Sequence, residues 1–268
     1  MADGSLPRPA AEPLPPDVSP VARIENPLGA SPVLLICEHA SNHIPEAYAG
    51  LGLPPRDLQR HIAWDIGAAD LARGLSCRLD ASLFLSGYSR LLIDCNRPPG
   101  APTSIPTRSE DTDIPGNRDL DAGERARRGA AYFAPFHAAV ARLLDRRAAE
   151  RRRTVVVGVH SFTPVFLGVP RPWLAGVLYA GAAGFGRALV ERLAADLGAD
   201  AVGDNEPYRI EPEEHDYTVP VHGDARGLDA ALLEVRQDLI ASAPDAEAWA
   251  ARLAPVFADV ASAPATRR

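Results

Sequence analysis

Four residues of this 268-residue chain are of types that together could hold a metal and activate water: His39, Asp65, His160 and Glu234. Two imidazoles and one carboxylate make the three-ligand set of a catalytic zinc site, which leaves a fourth position open for water. A glutamate beside such a site can take a proton from that water. Three of the four fall in, or just past, apolar runs that read as strands, and Asp65 falls at the start of a helix. In open α/β sheets, ligands bind outside the carboxyl ends of the strands. Each residue also has a plainer use. His39 can close the turn that follows it, Asp65 can cap its helix, and His160 can be a hydrogen-bonded core residue. Glu234 is harder to explain this way, because an ionised carboxylate in an apolar run is costly to bury without a partner.

Arginine is the second signal. All 28 basic residues are arginine and none is lysine, which excludes lysine Schiff-base chemistry and a P-loop lysine. Any cationic contact to a substrate then falls to arginine, whose planar fork matches a carboxylate through two hydrogen bonds. Arg90, Asn96 and Arg97 flank an apolar stretch. Arg236 lies two residues beyond Glu234, on the same face of a strand. These are the candidates for binding an acidic substrate. His222, upstream of Glu234, is the candidate for a transition-state donor or substrate contact. His43 reads as a turn residue, His61 and His137 as surface or packing residues in helical stretches, and His215 as part of an acidic run.

A sheet must position these groups. The runs VLLIC at 33–37 and TVVVGV at 154–159 are apolar throughout, the pattern of strands buried on both faces. Further strands are expected over 82–86, 91–94, 177–180 and 230–235. Helical spacing predicts helices over 66–79, 121–152, 184–197 and 246–260. The stretch 98–117 is rich in Pro, Ser, Thr, Asp and Gly and reads as a long loop, a candidate lid. Strands alternating with helices predict a three-layer α/β/α domain over 21–262. Segments 1–20 and 263–268 are expected to be disordered.

Composition narrows the function classes. With 46% hydrophobic and 24% charged residues the chain can build a core and still dissolve. Its formal net charge of −7 and lack of a long basic run argue against nucleic acid as a partner. No run approaches a membrane span. Cys37, Cys77 and Cys95 are odd in number and show no C-x-x-C pairing, which fits a reducing cytoplasm better than a disulfide framework. H-E-x-x-H, G-x-S-x-G and Walker motifs are absent. The glycines at 181, 184 and 186 lack dinucleotide-binding spacing and read as a helix entry.

Five short blocks, in this order, resemble the N-formylglutamate amidohydrolase family: Glu38-His39-Ala-Ser-Asn42-His-Ile-Pro45, Ala63-Trp-Asp65-Ile-Gly67, Ser89-Arg90-Leu-Leu-Ile-Asp94-Cys-Asn96-Arg97, Val159-His160-Ser161-Phe162 and Leu233-Glu234-Val-Arg236-Gln-Asp238. The resemblance implies a fold like that of zinc carboxypeptidases and amidases, a central mixed sheet with helices on both sides. It implies His39, Asp65 and His160 as ligands of one Zn2+, other divalent metals being possible, with Glu234 as general base. The H-x-x-E pair of zinc carboxypeptidases does not carry over, since the residue three after His39 is Asn42, and Glu38 competes with Asp65 as the acidic ligand. Asn96 and Arg97 resemble the Asn-Arg pair that holds a substrate carboxylate in carboxypeptidases, and Arg90 or Arg97 would help to stabilise the oxyanion. The implied reaction is hydrolysis of N-formyl-L-glutamate, or of a related N-acyl amino acid, to a carboxylate and a free amino acid, with a place in histidine degradation. Two alternatives stay open. One is an amidase of a peptide or cell-wall fragment. The other is a non-catalytic protein binding a metal or small acid, against which the spare base at 234 argues. The partner so implied is a small acidic substrate, with no membrane and no nucleic acid; the oligomeric state is not implied.

Overall fold

Alternate residues of a strand face opposite sides of its sheet, and in this protein both sides are apolar. The computed structural model describes residues 20–211 and 215–263. The expected extensions at 1–20 and 263–268 lie outside the described residues, except for Pro20 and Ala263. Seven strands form the central sheet: β1 (Ala22–Glu25), β2 (Val33–Cys37), β3 (Ser82–Ser86), β4 (Val155–Phe162), β5 (Ala175–Leu178), β6 (Val202–Asp204) and β7 (Asp229–Arg236). Their order is β1-β3-β2-β4-β7-β5-β6. The four middle strands β3, β2, β4 and β7 run parallel. Edge strand β1 pairs antiparallel with β3, and β5 pairs antiparallel with β7, so the sheet is mixed.

Helices cover both faces. Val33, Leu35, Val155, Val157, Leu233 and Val235 face a core shared with α1 (Ala68–Leu79), and α4 (Ala183–Leu197) and α5 (Ala243–Ser262) pack into the same core. Leu34, Ile36, Phe84, Val156 and Leu232 face a second core. That side is covered by α3 (Ala134–Ala149) and by the irregular chain around 44–64 and 88–120. The expected helix over 121–152 is α2 (Ala122–Arg128) joined to α3 through a π-helical turn, Gly129–Phe133, with Asp121 accepting the Glu124 amide at 2.8 Å as its cap. Both His160 and Glu234 have the strand parity of the second face.

Four local expectations are corrected. Segment 91–94 is buried but is no strand: Ser89 closes a turn there, and Asp94 N bonds the carbonyl of Ser104 rather than a neighbouring strand. Its apolar residues mark burial, which a turn satisfies as well as a strand. Asp65 does not cap α1. The cap is Gly67, in the left-handed region at φ 78°, and a Cβ there would lie 2.0 Å from the Ile240 carbonyl oxygen. His160 lies inside β4 rather than beyond it, because the ladder with β7 continues to the pair Phe162–Arg236. His61 sits in a turn, not a helix.

Among the described residues no helix is long and apolar enough to cross a membrane. The loop 98–117 carries a small hairpin (Arg108–Ser109 with Thr112–Asp113) and is tied at its end: Asn117 Nδ2 donates to the carbonyls of Leu91 and Pro106, and buried Arg128 donates to Asn117 Oδ1.

Gly176 and Gly203, on the paired strands β5 and β6, let the chain after β6 lie flat on the sheet. A Cβ at either would come within 2.0 and 2.5 Å of the Glu206 carbonyl oxygen. Gly176→Ala is therefore expected to displace residues 205–210 and to cost about 1–3 kcal/mol, as overpacking does. Urea denaturation of the purified variant measures this.

Candidate metal centre and the cleft around it

His39 follows β2, and its ring turns under the sheet edge toward the start of α1. Asp65 N bonds the His39 carbonyl at 3.0 Å, and Ser161 Oγ donates to the Ile66 carbonyl at 2.8 Å. The entry to α1 is thus stitched to both histidine-bearing segments. Asp65 Oδ2 lies 3.2 Å from His39 Nδ1 and 2.8 Å from His160 Nδ1, and the two Nδ1 atoms are 3.2 Å apart. All three residues are buried, and they are a group that could hold a metal ion. Ligands ~2 Å from a tetrahedral centre stand ~3.3 Å from one another, so the triangle has the size of one face of a zinc site.

The opposite ring edges are held by other acids. His39 Nε2 donates to Asp94 Oδ1 at 2.8 Å. His160 Nε2 lies 3.3 Å from Glu38 Oε2, within ion-pair range but not aligned as a hydrogen bond. Glu38 Oε1 accepts from the Thr218 hydroxyl. The Asp94 carboxylate on the far nitrogen fixes the His39 tautomer that leaves Nδ1 free to bind an ion, an arrangement typical of metal-ligating histidines. Glu38 therefore faces the outer edge of His160, whereas Asp65 faces both Nδ1 atoms.

Charge points the same way. Asp65, Asp94 and Glu38 are buried, and one half-buried guanidinium, Arg90, donates to Asp94 Oδ2 at 2.9 Å and reaches Asp65 Oδ1 at 3.5 Å. With both imidazoles neutral, the form in which they ligate a metal, three carboxylates and one arginine leave a deficit of two positive charges, which a divalent cation matches. Burial opposes ionisation at all three acids, yet the surrounding imidazoles and Arg90 hold Asp65 and Asp94 well below the ordinary range and Glu38 at about 2. Burial also opposes a charge on His160, but Asp65 and Glu38 raise it well above its ordinary value. The donor set therefore fits a divalent metal.

Glu234 stands directly across from His160 in the parallel ladder, with Gly176 on its other side. Its Oε2 is buried without a hydrogen-bond partner. Burial raises its pKa to about 7, with His160 opposing and Asp65 adding to the rise. These residues line one cavity of about 420 Å³.

Of the residues singled out from sequence, His39, Asp65, Arg90, Asn96, Arg97, His160 and Glu234 meet at this cavity. Arg90 is committed to Asp94 and Asp65. Asn96 braces the chain: its Nδ2 donates to Asp216, and its Oδ1 accepts the amides of Tyr217 and Thr218. Arg97 donates through Nη1 to the carbonyls of Asn96 and His215, at 3.0 and 2.6 Å. His222 does not line the cavity. It stacks on His137 behind it, with Nε2 2.9 Å from His137 Nδ1, and burial pushes the two imidazoles down to about 3 and about 4 respectively. Arg236 also lies off the cavity and pairs with Asp238 at 2.8 Å. The cavity adds residues that the sequence reading left without a role, among them His61, Asp94, Tyr208, Arg209 and Asp216. Asp94 stood in a recognisable block, but nothing in its neighbours tells that it reaches His39. Tyr208 and Arg209 lie in a stretch without periodicity and carried no signal.

A mixed α/β sheet with a buried His-Asp-His cluster that could hold a metal ion, and an adjacent glutamate whose Oε2 has no partner among the described residues, has the form of a hydrolase site. The N-formylglutamate amidohydrolase family model matches residues 31–241, and the chain belongs to that family. Two solved structures are similar. A gene product of Agrobacterium tumefaciens is 39% identical, with a TM-score of 0.85 over 90% of this chain and 94% of that one. An N-formylglutamate amidohydrolase from Ralstonia eutropha is 21% identical, with a TM-score of 0.61 over 90% of this chain and 95% of that one, a likeness of fold. No curated protein matches the chain.

Two outcomes are expected. Asp94→Asn weakens the acceptor behind His39 and should lower zinc affinity about 10–100-fold in calorimetric titration. Glu234 has its pKa raised from 4.5 to about 7, so folding favours its protonated form. The cost of ionising it is absent below pH 4.5, grows up to pH 7 and is full above, at roughly 3 kcal/mol. In metal-free protein, Glu234→Gln should raise the Tm at pH 8, by a margin that shrinks at pH 5.

Proposed function

We propose that the protein hydrolyses N-formyl-L-glutamate, or a closely related N-acyl amino acid, with a divalent metal, zinc by preference, held by His39, Asp65 and His160. The observation that carries this reading is the triangle of two Nδ1 atoms and one Oδ2 beside a buried, unpartnered Glu234 in one cavity. Family membership supports the amidohydrolase chemistry.

A divalent ion bound there supplies Lewis acidity toward the amide carbonyl and toward water. The chain's own groups do the rest. Asp94 and Glu38 hold the two imidazoles in orientation. Arg90 keeps Asp94 and Asp65 ionised and in place. Glu234 Oε2 accepts the proton of the attacking water and returns it to the leaving nitrogen, and a base with a pKa near the working pH does both efficiently. Arg97 reaches the cavity beside these groups and suits a substrate carboxylate, with Asn96 bracing the chain that carries it. For N-formylglutamate the products are formate and glutamate. The spare base favours an enzyme over a protein that only binds a metal or an acid.

The test is a panel of N-formyl and N-acetyl amino acids with zinc-loaded protein. Turnover of acidic N-formyl substrates should be lost on chelation and restored by zinc, and Glu234→Gln should retain zinc yet lose about 10²–10⁴-fold in kcat. Bound zinc without hydrolysis of any N-acyl amino acid would identify a binding protein. Activity indifferent to chelators would overturn the metal site.

A further inference from the structure

We propose that Arg209 reads the acidic side chain of the substrate and so sets the specificity of this cleft; the assignment rests on the amidohydrolase reading above. An N-acyl dicarboxylic amino acid presents two carboxylates, and each needs its own cation. Six cationic or cationisable side chains line the cavity outside the metal cluster: His61, Arg90, Arg97, Arg108, Arg209 and His215. Four already face acids. Arg90 is bound to Asp94 and Asp65, and Arg108 pairs with Asp113 at 3.1 Å. His61 lies 3.2 Å from Glu110, and His215 lies 3.5 Å from Glu211. Arg97 is anchored to two carbonyls and makes no ion pair with a described carboxylate, its charge acting on Asp94 only at longer range. Arg209 makes neither an ion pair nor a side-chain hydrogen bond with any described residue. Among the described residues, two arginines thus lack an ion-pair partner, one for each carboxylate.

A lone exposed arginine would by itself be ordinary surface. The backbone under this one argues otherwise. Two glycines, Gly176 and Gly203, are bare where the Glu206 carbonyl crosses the sheet, and Gly176 is the cross-strand neighbour of Glu234. The chain that leads to Arg209 is therefore laid against the strand position next to the candidate base. The preceding residue is clamped from the far rim: Arg171 Nη1 donates to the Tyr208 hydroxyl at 2.8 Å, with its guanidinium 4.6 Å from the centres of both the Tyr208 and Phe166 rings. Tyr208 and Phe166 line the same cavity. This clamp ties the Tyr208 side chain to the cavity rim, one residue before the arginine. A charged fork in that position accepts a carboxylate and discriminates against the isosteric amide, which cannot pair with it as an ion.

The experiment compares kcat/KM of zinc-loaded wild type, Arg209→Gln and Arg209→Lys on N-formyl-L-glutamate and on its neutral isostere, N-formyl-L-glutamine. Arg209→Gln is expected to lower the glutamate-to-glutamine ratio about tenfold or more, through KM, and Arg209→Lys to restore part of it. A ratio unchanged in Arg209→Gln, or a wild-type ratio near one, overturns the assignment. If wild type turns over neither compound, the functional reading fails separately. Calorimetric titration of glutarate into the same three proteins then decides the role of Arg209. Binding about tenfold weaker in Arg209→Gln sustains it, and equal affinity overturns it.

Discussion

The buried carboxylate of Asp65 is the constraint from which the rest of the site follows. An ionised acid in a dry interior is costly unless it is paired and hydrogen-bonded. Here one oxygen meets two imidazole nitrogens and the Ser161 amide, and the other reaches Arg90. Each of these partners then needs a partner of its own. His39 turns its far nitrogen to Asp94, His160 turns its own to Glu38, and Arg90 closes the circuit onto Asp94. The network carries more negative than positive charge, and so it favours a divalent cation over an empty space. Electrostatic demand, passed from residue to residue, places a triangle of donor atoms that could hold an ion where β2, β4 and the entry to α1 come together.

The sheet supplies the second half of the design. Parallel strands β4 and β7 are in a register that sets Glu234 across from His160. The antiparallel neighbour β5 offers a glycine at the same level, and the Glu206 carbonyl takes the place its side chain would fill. Glu234 is left without a hydrogen-bond partner, at a cost to stability, and it keeps a pKa near 7 as a result. Strain of this kind belongs to functional sites, where a group is poised for a reacting atom rather than for a neighbour in the fold.

Much of this was legible in the chain itself. Apolar-rich runs located β2, β3 and β7 to within a residue and the start of β4, whose end runs three residues beyond the expected one, because strands buried on both faces are built mostly of apolar residues. Helical periodicity located α1, α4 and α5. The same reasoning failed at 91–94, where an apolar run is buried as a turn; hydrophobicity reports burial, not backbone shape. It failed at Asp65 as a helix cap, since an acid before a helix looks the same whether its side chain turns back to the amides or away to two histidines. His222 looked available because it lies near Glu234 in sequence, but the π-helical turn Thr218–Gly223 carries it onto His137 instead.

What the sequence determined by itself was the chemistry on offer: two imidazoles and acids near strand and helix ends, arginine as the only strong cation, and motif blocks that identify a family. Local residue type and spacing carry that information directly. Which of those groups meet was decided by tertiary structure alone. Asp94 reaches His39 across 55 positions, and Glu38 reaches Thr218 across 180. Arg90 was turned inward to neutralise acids, and Arg236 was drawn off to Asp238, while the chain leading to Arg209 was laid on the sheet over Gly176, far from it in the sequence. Contacts of that range depend on strand order and register, and these are settled only when both faces of the sheet have been packed.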